Sequence, residues 1–300
     1  MADANFSSPN EEVRNRPIGV FDSGIGGLTV LREIWKALPN ESTVYFGDNG
    51  RAPYGTKSHD TIVQYSVQNM RFLLSQNVKM IVIACSSAGA HAHDEVRRRA
   101  GVPVIEVISP GAEQAVRETR NGRIGVIATR ATVSSGLYRE EVRAAADRLI
   151  AAGERREELA ALSIEQVACP LFVSLAEEGY WSSPATRLIA EAYLSGLRDS
   201  GVDVLVLGCT HYPLLKDVIG DVMGPGTRLI DSGASVAGRI MKTLDDSGLK
   251  RTATTPACHR FFTSDDPEMF EHRASPFLGG GRPSGTQYIS TDKYTSGGQG

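Results

Sequence analysis

Short, unbroken apolar runs rich in β-branched residues punctuate the chain at Ile18–Phe21, Thr43–Phe46, Met80–Ala84, Pro103–Ile108, Ile124–Ala128, Val204–Gly208 and Thr227–Ile230. Between them, Leu28–Leu38, His59–Gln76, Ser134–Ala152 and Pro184–Ser200 interleave charged and apolar residues at helical spacing. A strand with one face in water alternates apolar and polar positions, whereas an unbroken apolar strand is covered on both faces. With helix-length connectors between the runs, the pattern predicts an α/β fold of parallel-rich sheets flanked by helices.

In open parallel sheets, ligands sit beyond the carboxyl ends of the strands. The residues just past each run are therefore the informative ones. They are Asp22-Ser23-Gly24, then Gly47-Asp48 followed by Pro53-Tyr54-Gly55, then Cys85-Ser86-Ser87, then Thr129 and Thr132, and finally Cys209-Thr210-His211. Two of these match closely. Ile81-Val82-Ile83-Ala84-Cys85-Ser86 and Leu205-Val206-Leu207-Gly208-Cys209-Thr210 are each an apolar strand, a small residue, a cysteine and a hydroxyl residue. They lie about one small domain apart, so one device is used in two similar halves whose strand ends face a shared cleft.

Two thiols across a cleft suit stereoinversion: a thiolate takes a proton from one face of a carbon and the opposite thiol delivers one to the other. Simple packing is the alternative for either cysteine alone, because cysteine is among the most buried residues. Cys169 and Cys258 lack the strand-end setting and read as structural. A cysteine hydrolase with His211 as base is also open, but it leaves the second cysteine without a task.

Length and composition narrow the class. The 300 residues suggest about two α/β units. Hydrophobic residues at 41% and charged residues at 22% suffice for a buried core. A formal charge of −3 with no single-sign block argues against a nucleic-acid binder. No apolar run approaches the roughly 20 residues of a membrane span, and the first residues lack a secretory pattern. Four cysteines with no close pair form no disulfide framework, so a cytoplasmic setting is expected.

Several groups carry two readings. Asp22 is either a helix cap or a carboxylate that meets an ammonium group or tunes Cys85, beside backbone N–H groups that hold a carboxylate. Thr29 stands where the third glycine of a dinucleotide fingerprint belongs, so no nucleotide cofactor is expected. Pro53-Tyr54-Gly55 is a turn or a pocket wall. Thr132 and Thr210 place hydroxyls and helix-start amides for an acidic group. His211 can assist Cys209, since imidazole titrates near neutrality. Without a Cys-x-x-Cys pair, no metal site is expected.

At this point the residues resemble the glutamate racemases of the aspartate/glutamate racemase family. The resemblance is carried by Pro17-Ile-Gly-Val-Phe-Asp-Ser-Gly-Ile-Gly-Gly-Leu-Thr-Val, Tyr45-Phe-Gly-Asp with Pro53-Tyr-Gly, Ile124-Gly-Val-Ile-Ala-Thr with Thr132-Val, Ala168-Cys-Pro-Leu-Phe-Val, and Val206-Leu-Gly-Cys-Thr-His-Tyr-Pro-Leu-Leu. It implies cofactor-independent interconversion of L- and D-glutamate, the D-isomer feeding peptidoglycan synthesis. Cys85 and Cys209 then correspond to the two catalytic cysteines, Asp22 and His211 to their assistants, and Glu177 to an acidic helper, with Glu178 its rival. Asp22, Ser23, Tyr54, Gly55, Ser86, Ser87, Thr132, Thr210 and His211 fall on substrate-contact positions. The resemblance further implies a homodimer, and contact with DNA gyrase in some members. A racemase of another acidic substrate such as aspartate, or a paralogue acting through protein contacts, are the alternatives. One departure stands out: Ser86 occupies a position where the family usually has asparagine, whose amide offers more hydrogen-bonding atoms than a hydroxyl.

The expected organisation is an N-terminal arm over 1–16, a first α/β domain over 17–112 and 228–278 carrying Cys85, and a second over 113–227 carrying Cys209. The Gly- and Ser-rich segment 279–300 reads as a disordered tail.

Overall fold

The structure is a computed structural model that describes residues 10–154, 159 and 161–295. Its strands, in chain order, are β1 (Ile18–Asp22), β2 (Thr43–Gly47), β3 (Met80–Ile83), β4 (Val104–Glu106), β5 (Arg123–Ala128), β6 (Ser163–Ala168), β7 (Val204–Gly208), β8 (Arg228–Asp231), β9 (His259–Thr263) and β10 (Gln287–Tyr288). They form two wholly parallel sheets, one of six strands in the order β10-β9-β2-β1-β3-β4 and one of four in the order β6-β5-β7-β8.

Within the larger sheet the order β2-β1-β3-β4 repeats as β6-β5-β7-β8 in the smaller one. The strand preceding Cys85 (β3) and the strand preceding Cys209 (β7) therefore hold equivalent places. The expected doubling of one device is a doubling of topology. Buried strands explain the unbroken runs: every residue of β1, β2, β3 and β7 is buried.

The α-helices among the described residues are numbered in chain order. They are α1 (Glu11–Asn15), α2 (Leu28–Ala37), α3 (His59–Ser75), α4 (Ser86–Ala100), α5 (Ile108–Glu118), α6 (Arg130–Ser135), α7 (Leu137–Ala151), α8 (Leu171–Glu177), α9 (Pro184–Asp199), α10 (Lys216–Met223), α11 (Ser232–Asp246) and α12 (Pro267–Ala274). The segment expected as one helix over Ser134–Ala152 is broken at Gly136, which takes φ of 75° and caps α6 before α7 begins. The run Pro103–Ile108 supplies a strand only to Glu106, because the Glu106 carboxylate turns back to accept from the Ile108 and Ser109 amides and starts α5.

Three boundary expectations are corrected. The residues from 228 do not return to the first lobe, since β8 pairs with β7 and the crossover follows Asp231. The N-terminal arm is helical over Glu11–Asn15, capped by Asn10; residues 1–9 lie outside the described residues. The expected disordered tail is folded through Thr295: β10 pairs with β9, Arg71 donates to the Tyr294 carbonyl at 2.9 Å, and the Tyr294 ring packs edge-on against Phe72. Its aromatic and apolar residues, Tyr288, Ile289 and Tyr294, outweigh the glycine signal because they find partners on β9 and α3. The last five residues, 296–300, lie outside the described residues.

Candidate active site

The first lobe contributes the loops after β1 and β3, the second the loop after β7, and they meet at the seam. On the first lobe, β1 ends at Asp22 and turns through Ser23-Gly24-Ile25-Gly26-Gly27 into α2. Asp22 does not cap the helix; it closes an Asx turn, its Oδ2 accepting from the Gly24 amide at 2.9 Å. The second lobe lies so close that a Cβ on Gly26 would sit 2.3 Å from Thr210 Oγ1 and 2.4 Å from the His211 ring. Only a residue without a side chain permits that approach.

Cys85 is the N-cap of α4. Its Sγ accepts from the Ala88 amide at 3.5 Å and lies 3.6 Å from Ser23 Oγ. Burial pushes the thiol up to about 12, and the nearby Asp22 carboxylate adds to the rise against the two hydrogen bonds. Asp22 is itself raised by complete burial, opposed by the charge of His211 and by the hydrogen bonds of Gly24, Gly27 and Thr210.

Cys209 stands in a different field. Its Sγ lies 3.8 Å from His211 Nδ1, and His211 Nε2 lies 2.8 Å from Glu177 Oε1. Burial disfavours the charged imidazole, but the hydrogen bonds and charges of Cys209 and Glu177 outweigh it and raise His211 to about 10. Burial likewise opposes the Glu177 carboxylate, and the His211 contact lowers it overall, helped by Arg273. Glu177 meets His211, whereas Glu178 faces Arg273 at 3.6 Å. The Phe277 ring packs edge-on against the imidazole.

Cys85 and Cys209 each retain a trace of exposure, 6% and 8%. Ser23, Ser86, Ser87, Thr210 and His211 are buried to a similar degree and keep a similar trace, so the crevice is narrow and polar. Thr210 Oγ1 reaches across to Asp22 Oδ1 at 3.4 Å. Among the described residues, no group of three His, Cys, Asp or Glu stands together as a metal cluster.

Two expected contact residues are placed behind the crevice. Thr132 has no exposed surface, and its hydroxyl faces Thr129 at 3.1 Å and Ser87 at 3.4 Å. Tyr54 is wholly buried with its hydroxyl engaged by Asp48 and Asn69, so its ring belongs to the first-lobe core. Gly55 lies against the Thr129 side chain, where it closes the seam. Thr129, named at a strand end from sequence but given no contact role there, is 8% exposed, bonds Ser87 Oγ at 2.9 Å and caps α6. Its signal was the repeat itself: β5 is the counterpart of β1, and the register along the cysteine-bearing strands makes Thr129 the counterpart of Ser23.

Fold and site together define a two-lobed α/β protein with two thiols at equivalent strand ends, one beside a carboxylate and one beside an imidazole–carboxylate pair. Comparison with known proteins agrees. The family model described as Asp/Glu/Hydantoin racemase matches residues 18–239, and the chain belongs to that family. A glutamate racemase of Geobacter metallireducens is 44% identical over 265 residues, covering 88% of this chain and 93% of that one. The crystal structure of glutamate racemase from Francisella tularensis in complex with D-glutamate superposes with a TM-score of 0.83 at 36% identity, covering 94% of this chain and 100% of the other. Escherichia coli glutamate racemase, crystallised with L-glutamate and the activator UDP-MurNAc-Ala, gives 0.72 at 30% identity over 92% and 98%.

Proposed function

We propose that this protein interconverts L- and D-glutamate by proton transfer between Cys85 and Cys209, without an organic cofactor. The observation that carries the reading is the β1–α2 loop, whose Ser23 lies 3.6 Å from the Cys85 thiol and whose Asp22 and Gly26 meet the Cys209-Thr210-His211 loop, on a chain closely similar to glutamate racemases over most of its length.

In each direction one cysteine, as thiolate, accepts the α-proton, and the electron pair left on carbon is delocalised into the α-carboxylate. The opposite S–H then gives its proton to the other face, and the cysteines have exchanged roles. The α-proton is a far weaker acid than a thiol, so stabilisation of the developing carboxylate charge is the central task. The unpaired first amides of α4, at Ser86 and Ser87, and the loop amides after Ser23 are directed to that task. Ser23, Ser87, Thr129 and Thr210 offer hydroxyls to the acidic groups. Asp22, wholly buried, acts on Cys85 through its charge, and His211 with Glu177 supports Cys209.

The D-isomer so made suits peptidoglycan synthesis in the cytoplasm. The exposed apolar residues Leu171, Tyr180, Trp181 and Leu188 of the second lobe support a homodimer. Contact with DNA gyrase rests on the family resemblance alone.

A chiral assay of the purified chain in deuterated water tests the reading. It is expected to form D-glutamate from L-glutamate, with deuterium at the α-carbon of product and no added pyridoxal phosphate. Turnover of aspartate in preference to glutamate, or activity that survives Cys85→Ala, would overturn it.

A further inference from the structure

Thr29 supplies a buried hydroxyl at the seam that the proton-transfer chemistry does not use. It stands in the first turn of α2, and its Oγ1 lies 2.9 Å from the Gly26 carbonyl oxygen and 2.9 Å from the carbonyl oxygen of Thr210 on the opposite lobe. A hydroxyl carries a single proton, so these two acceptors share it. Thr210 lies between Cys209 and His211, beyond Gly208, the last residue of β7. The sheet therefore does not fix this carbonyl, and the connection to the first lobe runs through Thr29. Gly26, three residues earlier, packs against Thr210 Oγ1 and the His211 ring with no room for a methyl group. The contact is thus tight in shape at Gly26 and fastened by a polar bond at Thr29.

We propose that Thr29 is a positioning residue: its hydroxyl holds the Thr210 backbone, and through it the Cys209 thiol, at the distance from the Cys85 side that proton delivery requires. The proposal rests on the two-thiol reading above and adds a residue that touches neither substrate nor sulfur. Small displacements of a reacting group are costly, of order 100-fold in rate for about 1 Å.

The test compares Thr29→Val, which keeps the branched shape and removes the hydroxyl, with Thr29→Ser, which keeps the hydroxyl. Both are assayed from both enantiomers in deuterated water, with label measured in product and in recovered substrate. Thr29→Val is expected to lower kcat/KM by about 10–100-fold with KM little changed, and Thr29→Ser to recover most of the loss. The fall in kcat/KM must be equal in both directions, because the equilibrium constant of a racemisation is one.

The label separates positioning from general damage. When Cys85 removes the proton and a loosened Cys209 delivers late, the new Cys85 S–H has time to exchange, and deuterium rises in recovered substrate. From the opposite enantiomer Cys209 is the base, the slowed step precedes exchange, and recovered substrate stays unlabelled. This ratio is set within each molecule that turns over, so partial unfolding of the variant does not move it. Wild-type rates and labelling in Thr29→Val, label rising equally from both enantiomers, or equal damage in both variants would overturn the proposal alone. An unaltered chain without racemisation would overturn the two-thiol reading, and this proposal with it.

Discussion

At the scale of single residues, the two thiols differ in what surrounds them. Cys85 is buried beside a carboxylate and held as the thiol, while Cys209 faces an imidazolium whose charge it helps to sustain. Alkylation by iodoacetamide at neutral pH, followed by peptide mass spectrometry, is therefore expected to modify exposed Cys258 first, Cys209 next and Cys85 last; Cys85 ahead of Cys209 would contradict this. The imidazole also sets a pH dependence. Its folded value of about 10 lies above the ordinary 6.5, so its contribution to stability is complete below 6.5 and is lost as pH climbs through about 10. Glu177 runs the other way, its lowered carboxylate contributing above its ordinary 4.5 and losing that contribution as pH falls. Urea unfolding between pH 7 and pH 10 is expected to show falling stability in the unaltered chain and a flatter fall in Glu177→Gln; identical slopes would refute the pairing. Asp22, Cys85, Cys209 and His211 were legible in sequence because chemistry-bearing residues stood just past apolar strands. Thr132 and Tyr54 were legible as neighbours but not as buried ones, since a hydroxyl's direction depends on what packs against it.

At the scale of elements, the loop from β1 into α2 is fixed by a close approach rather than by its own propensity. Gly26→Ala places a methyl group within 2.3 Å of Thr210 Oγ1, against a seam made by two lobes. Either lobe must move, so racemisation is expected to fall by about 100-fold or more, with a lower melting temperature; normal kinetics in that variant would show the seam to be slack. Buried strands announced themselves through unbroken apolar runs, as did the edge strands β4 and β8, but β6 and β9 did not. β6 is a sheet edge whose residues Ser163, Glu165 and Gln166 carry polarity into the strand. β9 is screened on its outer side by a strand of two residues, and its His259 and Arg260 face partly outward. Polar residues facing water in these two strands break the unbroken apolar run that marked the central ones.

At the scale of the whole molecule, the terminal segment binds the first lobe instead of trailing from it. Ending the chain at Gly285 removes β10 and the Tyr294 contact with Phe72, and is expected to cost about 1–3 kcal/mol of stability by urea titration, while the distant crevice keeps its activity. An unchanged midpoint would show that these contacts contribute nothing.

The sequence by itself determined the parallel α/β class, the duplicated strand-cysteine device and the chemical types at the strand ends, because continuous burial and strand-end polarity are local patterns written residue by residue. The tertiary structure alone decided that Gly26 meets His211, that Thr29 reaches the Thr210 carbonyl, that β8 stays with the second sheet and that the tail docks on α3. All but the β8 pairing join residues far apart in the chain, and every one is settled by which surfaces fit once the sheets are built.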